Sequence, residues 1–257
     1  MGDDTGIVWF RRDLRLGDNP ALRAAADAHD RLVAVFVHDP ALARPSGANR
    51  LAFLHASLDA LDADLDGLLV ERVGDPAEVI PRLAAEVEAS AVHVAEDFGP
   101  HGRRRDLAVE DALVGDGRTL ERTGSPYAVA PGSIFTKGGT PYKVFTPFSK
   151  AWRAHGWEAP LQVPRAARYL TGVTGDDRPP TPEVEASGGL PEAGEEAAHR
   201  AADRFLESHV DGYRDDRNRP DLDATSRLSP HLKVGTIHPR QLLDRLGDTA
   251  GPSTFAS

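Results

Sequence analysis

The chain contains no cysteine among its 257 residues. This absence excludes disulfides, cysteine-ligated zinc, iron–sulfur clusters and a thiol nucleophile. Long apolar runs are missing too, since no run approaches the ~20 residues that a membrane-spanning helix needs. The first residues also lack the basic start of a signal peptide. These absences predict a cytoplasmic protein without a membrane partner.

A basic surplus is missing as well, because the formal net charge is −10. The acidic charge is concentrated in residues 171–196, which hold one basic and seven acidic residues, whereas residues 197–257 hold nine of each. The charge of the whole chain therefore says little about nucleic-acid binding. The last segment is where we expect a polyanion to bind.

The first 125 residues alternate between two hydrophobic periods. Short apolar strands are predicted at residues 7–10, 32–37, 68–70, 91–95 and 119–122, with amphipathic helices between them. This rhythm implies right-handed crossovers and a parallel sheet covered on both faces. The predicted fold class is α/β, with a Rossmann-like, doubly wound, parallel five-stranded sheet in residues 1–130.

The remainder divides into a connector over residues 131–196 and a helical segment over residues 197–257. Residues 171–196 contain four proline and five glycine residues, which predicts a mobile surface linker. The helical pattern begins at Glu195 and continues with helices starting at Pro230 and Pro239. This segment is too short to close a core of its own. We therefore expect the native protein to continue past Ser257.

Charged side chains follow the predicted strands at the edge where doubly wound sheets bind ligands. Arg11, Arg12 and Asp13 follow the first strand, Asp39 the second, and Glu96 and Asp97 the fourth. They could bind a ligand or form an ion-paired loop. No glycine-rich phosphate loop follows the first strand, which disfavours a nicotinamide site.

A second candidate site is the stretch from Thr225 to Ser229. Ser229 is predicted to cap a helix that has Pro230 in its first turn, so hydroxyls and an arginine precede free backbone N–H groups. The stretch is either a phosphate cradle or an ordinary capped helix. The remaining residues of note are predicted to be structural: His101, His155 and His231 lack metal-ligand spacing, and Trp152 and Trp157 should anchor the connector on the sheet.

Four separated blocks are similar to the DNA photolyase and cryptochrome family. They are residues 7–22, residues 141–148 with Trp152, residues 212–217 and residues 225–235. The resemblance is to the N-terminal portion of class I cyclobutane pyrimidine dimer photolyases. It implies an antenna-binding α/β domain, a long connector and the start of an all-helical FAD-binding domain.

The family resemblance also implies an activity: excited, reduced FAD splits pyrimidine dimers in DNA by electron transfer. No side chain of this chain is predicted to be catalytic, because the cofactor performs the chemistry. Arg217 matches a family position that contacts the DNA backbone. The positions that match the family's first FAD contacts are Tyr213, Thr225, Ser226, Arg227, Leu228 and Ser229.

The resemblance extends to the antenna chromophore. Residues 96–106 resemble those of deazaflavin-binding members, whereas folate-binding members tend to have an Asn-Glu pair in place of His101 and Gly102. We therefore expect a deazaflavin in preference to methenyltetrahydrofolate. The expected contacts are Arg12, Phe36, Asp39, Arg50 and Asp97.

The chain also departs from the family, whose helical domain continues far past residue 257. It is either part of a longer protein or a truncated relative. We expect a monomer, and we expect residues 1–257 alone to be inactive in repair. Two other functions stay open: a cryptochrome-type blue-light photoreceptor, and a nucleotide- or antenna-binding module without catalysis.

Overall fold

The computed structural model describes residues 4–162, 167–184, 189–246 and 250–256. Its centre is one five-stranded parallel sheet with the strand order β3-β2-β1-β4-β5. The strands are β1 (Thr5–Phe10), β2 (Arg31–His38), β3 (Leu69–Val73), β4 (Ala91–Val94) and β5 (Thr119–Arg122). The predicted α/β class and strand count are confirmed.

The sheet is covered by α1 (Pro20–Ala28), α3 (Ala48–Asp64), α4 (Pro76–Glu86) and α5 (Pro100–Gly115), whereas the short helix α2 (Pro40–Ala43) has no buried residue. Asn19, Asp39 and Asp75 cap α1, α2 and α4 through their side chains, each with proline in the first turn. Successive strand residues point to opposite faces, so the sheet has two cores. One core packs β-strand residues against α4 and α5, and the other packs them against α1 and α3.

The connector corrects one expectation, because residues 168–181 are bound to the α/β domain. The backbone of Leu32 exchanges hydrogen bonds of 2.8 Å with Arg168 and Leu170. Further along, Arg178 forms ion pairs with Glu71 and, at 2.6 Å, with Asp59. The composition of residues 171–196 predicted a mobile linker, but charged side chains fix this part of it along the edge of the sheet.

The helical elements after the sheet are α6 (Phe145–His155), α7 (Glu195–Ser208), α8 (Tyr213–Asp216), α9 (Ser229–Val234), α10 (Pro239–Leu243) and α11 (Ala250–Phe255). Their buried apolar cluster is small and consists of Ala198, Ala202, Leu228, Ile237 and Leu242. Trp152 and Trp157 contact each other, with ring centroids 5.1 Å apart and both half-buried. No described helix is long and apolar enough to cross a membrane.

Candidate functional site

The carboxyl ends of β1 and β4 meet at the point where the strand order reverses, and Arg11 fills that crevice. Its guanidinium donates to the Asp106 carboxylate and to the Ala95 carbonyl. It also lies 4.7 Å from the centre of the Trp9 ring. Of the two interpretations left open for this loop, the ion-paired one holds for Arg11.

Arg12 behaves differently, and it belongs to a cationic group with Arg50 and Lys233. The Nε atom of Arg12 is buried and has no hydrogen-bond partner among the described residues. Desolvation lowers the pKa of Lys233, Arg12 and Arg50 lower it further, and Asp97 opposes them. A surface depression of about 350 Å³ at the start of α3 is lined by residues 47–50, so Arg50 is the member of this group that borders it. Two arginines that lower the pKa of a neighbouring lysine favour an anionic ligand between them.

Asp97 is held at this edge by its own neighbours. Its Oδ1 accepts from the Gly99 N–H at 3.0 Å, and its Oδ2 lies 3.5 Å from Arg105. A Cβ on Gly102 would approach the Asp97 carboxylate to 2.2 Å, so the glycine leaves room for that side chain. The structure therefore brings Arg12, Arg50 and Asp97 together around Lys233, a residue that sequence reasoning did not assign to this group.

Phe36 of β2 and Asp39, which follows β2, are the other two members of the expected antenna set, and both have structural roles. Phe36 is only 8% exposed and belongs to the core that packs against α1 and α3. Asp39 caps α2 by accepting from the Ala41 N–H at 2.8 Å, and its other oxygen lies 3.8 Å from His101. His231 is a packing histidine, buried against Phe53 with Nδ1 2.9 Å from the Thr236 hydroxyl.

The stretch Thr225–Ser229 differs from its expected geometry at the helix start. Helix α9 begins at Ser229, and its N-cap is Leu228, which makes no side-chain capping bond. The capping role predicted for Ser229 is wrong, because the helix begins one residue earlier than the prediction placed it. Thr225, Arg227 and Ser229 are exposed, and Arg227 has a left-handed φ of 51° with an ion pair to Asp223 at 2.6 Å.

Tyr213 is the first residue of α8, and Arg217 follows the last residue of that helix. The Tyr213 ring packs against Phe205 at 5.5 Å and Phe255 at 5.3 Å. Arg217 is exposed, and within the described ranges its side chain forms no ion pair with Asp215 or Asp216. An unpaired exposed guanidinium is available to a phosphate.

A second cationic feature escaped the sequence analysis. Residues 123–157 contain no acidic residue, although the chain carries a net charge of −10. Helix α6 in this stretch has no buried residue, and its Phe145 ring is 59% exposed. Arg153 on α6 donates to the Ser253 carbonyl of α11 at 2.8 Å, and α11 contacts α8 through Phe255. The cations in this acid-free segment are Lys137, Lys143, Lys150 and Arg153.

The chain is thus a doubly wound α/β domain joined to a helical segment, with two groups of cations. The chain belongs to the DNA photolyase family, whose model matches residues 6–165.

Individual relatives agree with this assignment. The chain is 38% identical to a deoxyribodipyrimidine photo-lyase of Streptomyces griseus, over 95% of this chain and 56% of the relative. It is 36% identical to an uncharacterized 31.6 kDa protein of Synechococcus, over 90% of this chain and 85% of that protein. A class III photolyase structure from Agrobacterium tumefaciens superposes with a TM-score of 0.86 at 30% identity, over 99% of this chain and 56% of that one. The chain thus spans about half the length of the photolyases that it matches.

Proposed function

We propose that this chain takes part in light-driven repair of DNA. It would be the portion of a photolyase that binds the antenna chromophore and forms one wall of the FAD site. The observation that carries the proposal is the family match together with two separate groups of cations. FAD, when bound, reduced and excited by blue light, supplies the electron that splits a pyrimidine dimer. The protein's own contribution is to bind, orient and exclude water.

The FAD-binding residues that we propose are Tyr213, Thr225, Ser226, Arg227, Leu228 and Ser229. Hydroxyl groups and a guanidinium are suitable donors for phosphate oxygens, and Thr225, Arg227 and Ser229 expose theirs to solvent. The buried Leu228 side chain anchors the stretch in the small helical core. Among the described residues this is an exposed wall, so a flavin ring placed there would keep much of its water contact.

The FAD placement is tested with an arginine variant that suits the backbone. Arg227→Asn removes the guanidinium while tolerating the left-handed φ, and we expect FAD affinity to fall about tenfold, the loss of one charge-assisted hydrogen bond. Arg219→Asn is the matched control, since Arg219 is also exposed and paired with a nearby aspartate, Asp221. Equal FAD titration curves for Arg227→Asn and the unmodified chain would contradict the placement.

The proposed antenna site consists of Arg12, Phe36, Asp39, Arg50 and Asp97, with Lys233 added by the structure. Its support is the buried, unpartnered Nε of Arg12 beside two further cations. We propose a deazaflavin in preference to methenyltetrahydrofolate. Reconstitution with each pigment tests the choice: tighter uptake of the folate would overturn it.

We propose that the DNA-binding surface includes Arg217 and extends over the acid-free segment. Arg217 forms no ion pair with any described residue, and α11 contacts both α8 and α6, so the cations near these two helices lie on adjoining elements. Exposed aromatic rings beside cations suit a nucleic acid, because bases stack on the rings while the cations contact phosphates. The partner is DNA that contains pyrimidine dimers.

The repair activity itself is tested by light-dependent dimer loss. The chain, with FAD, a reductant and dimer-containing DNA, is illuminated with blue light and compared with a dark sample. Because the flavin wall is exposed in residues 1–257, we expect DNA binding but no dimer loss by these residues alone, and dimer loss by a photolyase-length protein that carries them. A photolyase-length protein that senses light without repairing DNA would instead favour the cryptochrome alternative.

A further inference from the structure

Asp18 combines a left-handed backbone with a buried carboxylate. Its φ is 50°, in the region that glycine adopts freely and that asparagine and aspartate adopt more often than other residues. Its side chain is completely buried. A buried charge in a strained conformation needs compensation from its surroundings.

The compensation comes from three separate parts of the chain. Arg240 of α10 places Nε 2.8 Å from both Asp18 carboxylate oxygens. Leu161 of the connector donates its N–H to Asp18 Oδ1 at 2.8 Å and accepts from the Asp18 N–H at 3.1 Å. Arg15, from the same loop as Asp18, donates to the Asp18 carbonyl at 2.6 Å. One residue thus joins the α/β domain, the connector and the helical segment.

The neighbouring contacts tie the same loop to the helical segment. Arg15 also donates to the Gly235 carbonyl at 3.0 Å, at the end of α9. Glu195, the first residue of α7, accepts from the N–H groups of Leu16 at 2.7 Å and Gly17 at 3.0 Å. These are directional bonds between charged and backbone groups, so they fix an orientation as well as a contact.

We propose that Asp18, acting through Arg240 and Leu161, is a positioning residue that sets the orientation of the helical segment on the α/β domain. This orientation places Lys233 beside Arg12 and Arg50, and it fixes Thr225–Ser229 relative to that group. The consequence for flavin and antenna rests on the proposed function. The positioning itself does not, since it concerns contacts within the protein.

The absence of cysteine makes the orientation measurable. Cysteines introduced at Ala85 on α4 and Arg204 on α7, both exposed, carry spin labels for an electron–electron distance measurement. The labelled protein with Asp18 and Arg240 intact should give a single narrow distribution of distances between the two labels. Asp18→Asn keeps the backbone preference and removes the charge, so a displaced arrangement should appear in about a tenth or more of the molecules.

Two further variants separate positioning from stability. Asp18→Asn combined with Arg240→Gln removes both charges, and it should restore the single distribution. Asp27→Asn, at an exposed carboxylate paired with Arg23, should leave the distribution unchanged. If Asp18→Asn does not fold, Glu195→Gln tests the same joint and should give a smaller displaced population.

The unfolding midpoint is measured on every variant. A purely stabilising role would lower the midpoint of Asp18→Asn without changing its distance distribution, and that result would overturn the proposal. It would equally be overturned if the double variant were as broad as Asp18→Asn. No cofactor enters the experiment, so its outcome is independent of whether FAD binds at Thr225–Ser229.

Discussion

The α/β domain and the helical segment are each stabilised by a different kind of interaction. Among the described residues, the core on one face of the sheet contains sixteen buried residues and the core on the other face contains thirteen. The apolar cluster of the helical segment contains five. The helical segment adds the buried Arg240, which pairs with Asp18 in the loop of the α/β domain that also holds the buried Arg15. Apolar burial scales with area, while buried ion pairs contribute orientation more than net stability. We therefore expect the α/β domain to fold without the helical segment, and the helical segment to stay folded only while it contacts the α/β domain.

The largest expected effect is the loss of unfolding free energy when a leucine in one of the two sheet cores is shortened to alanine. Leu58 of α3 is fully buried between the helix and the sheet. Leu58→Ala should lower the free energy of unfolding by about 3–5 kcal/mol, from lost burial and the cavity left behind. Leu107→Ala, at a leucine that is 56% exposed on α5, should change it by less than about 0.5 kcal/mol. Urea unfolding followed by circular dichroism measures both, and equal losses would refute the layered core.

A second variant acts on the attachment of the helical segment. Gly235 has a φ of 80°, and a Cβ there would lie 1.9 Å from the Arg12 carbonyl oxygen. Gly235→Ala should cost about 2–4 kcal/mol, from left-handed strain and steric overlap. The loss should appear as easier proteolysis of residues 195–246, with the sheet intact.

Gly117 offers a control for the strain alone. It has a similar φ of 74°, but a Cβ there would meet no atom within 4 Å. Gly117→Ala should therefore cost only about 1 kcal/mol. If both variants cost the same, steric contact with the Arg12 loop is not what holds α9.

The amino end of the sheet gives a pH-dependent prediction. Burial, and then the neighbouring His29, lower the pKa of His93 to about 4 from 6.5. At a pH above about 6.5, the pKa of histidine in the unfolded chain, His93 is neutral in both states and its contribution to stability is fully present. This contribution is lost as the pH falls from about 6.5 to 4, because the unfolded chain then binds a proton that the folded chain does not. The difference amounts to about 3 kcal/mol.

The pH dependence is checked by urea unfolding across that range. His93→Gln should make the loss between pH 6.5 and 4 smaller by about 3 kcal/mol, while the other buried histidines, such as His238, keep their share of it. His155→Gln, at an exposed histidine, should leave the loss unchanged. An unchanged pH slope in His93→Gln would show that another group titrates there.

The smallest expected effect is on the salt dependence of DNA affinity. It distinguishes the helical segment, where we propose DNA contacts, from the α/β domain. Arg217→Ala should lower the slope of log affinity against log salt by about 0.9, because one phosphate contact is lost. Arg82→Ala, at an exposed arginine on α4 of the α/β domain, should leave the slope unchanged. Fluorescence anisotropy with dimer-containing DNA measures both slopes. Equal slopes for the two variants would remove Arg217 from the DNA surface.

The sequence predicts what local patterns encode. Short apolar runs and helix starts such as Asn19-Pro20 were sufficient for all five strands and for α1, α3, α4 and α5, whereas the four-residue helix α2 was not predicted. Helix α6 was missed, because its aromatic residues serve an exposed surface and not a core. The bond between Asp18 and Arg240 joins residues 222 positions apart, and no periodicity reports such a pair. The same holds for Lys233, whose neighbours come from three distant segments.

The most direct test of the two-part account is hydrogen exchange of the unmodified chain at increasing urea concentrations. Amides of β1, β2 and β4 should exchange only through global unfolding. Amides of α7, α9 and α10 should exchange through a separate opening of lower free energy. One shared opening free energy for both sets of amides would contradict the account, since it would mean that the helical segment and the sheet form a single cooperative core.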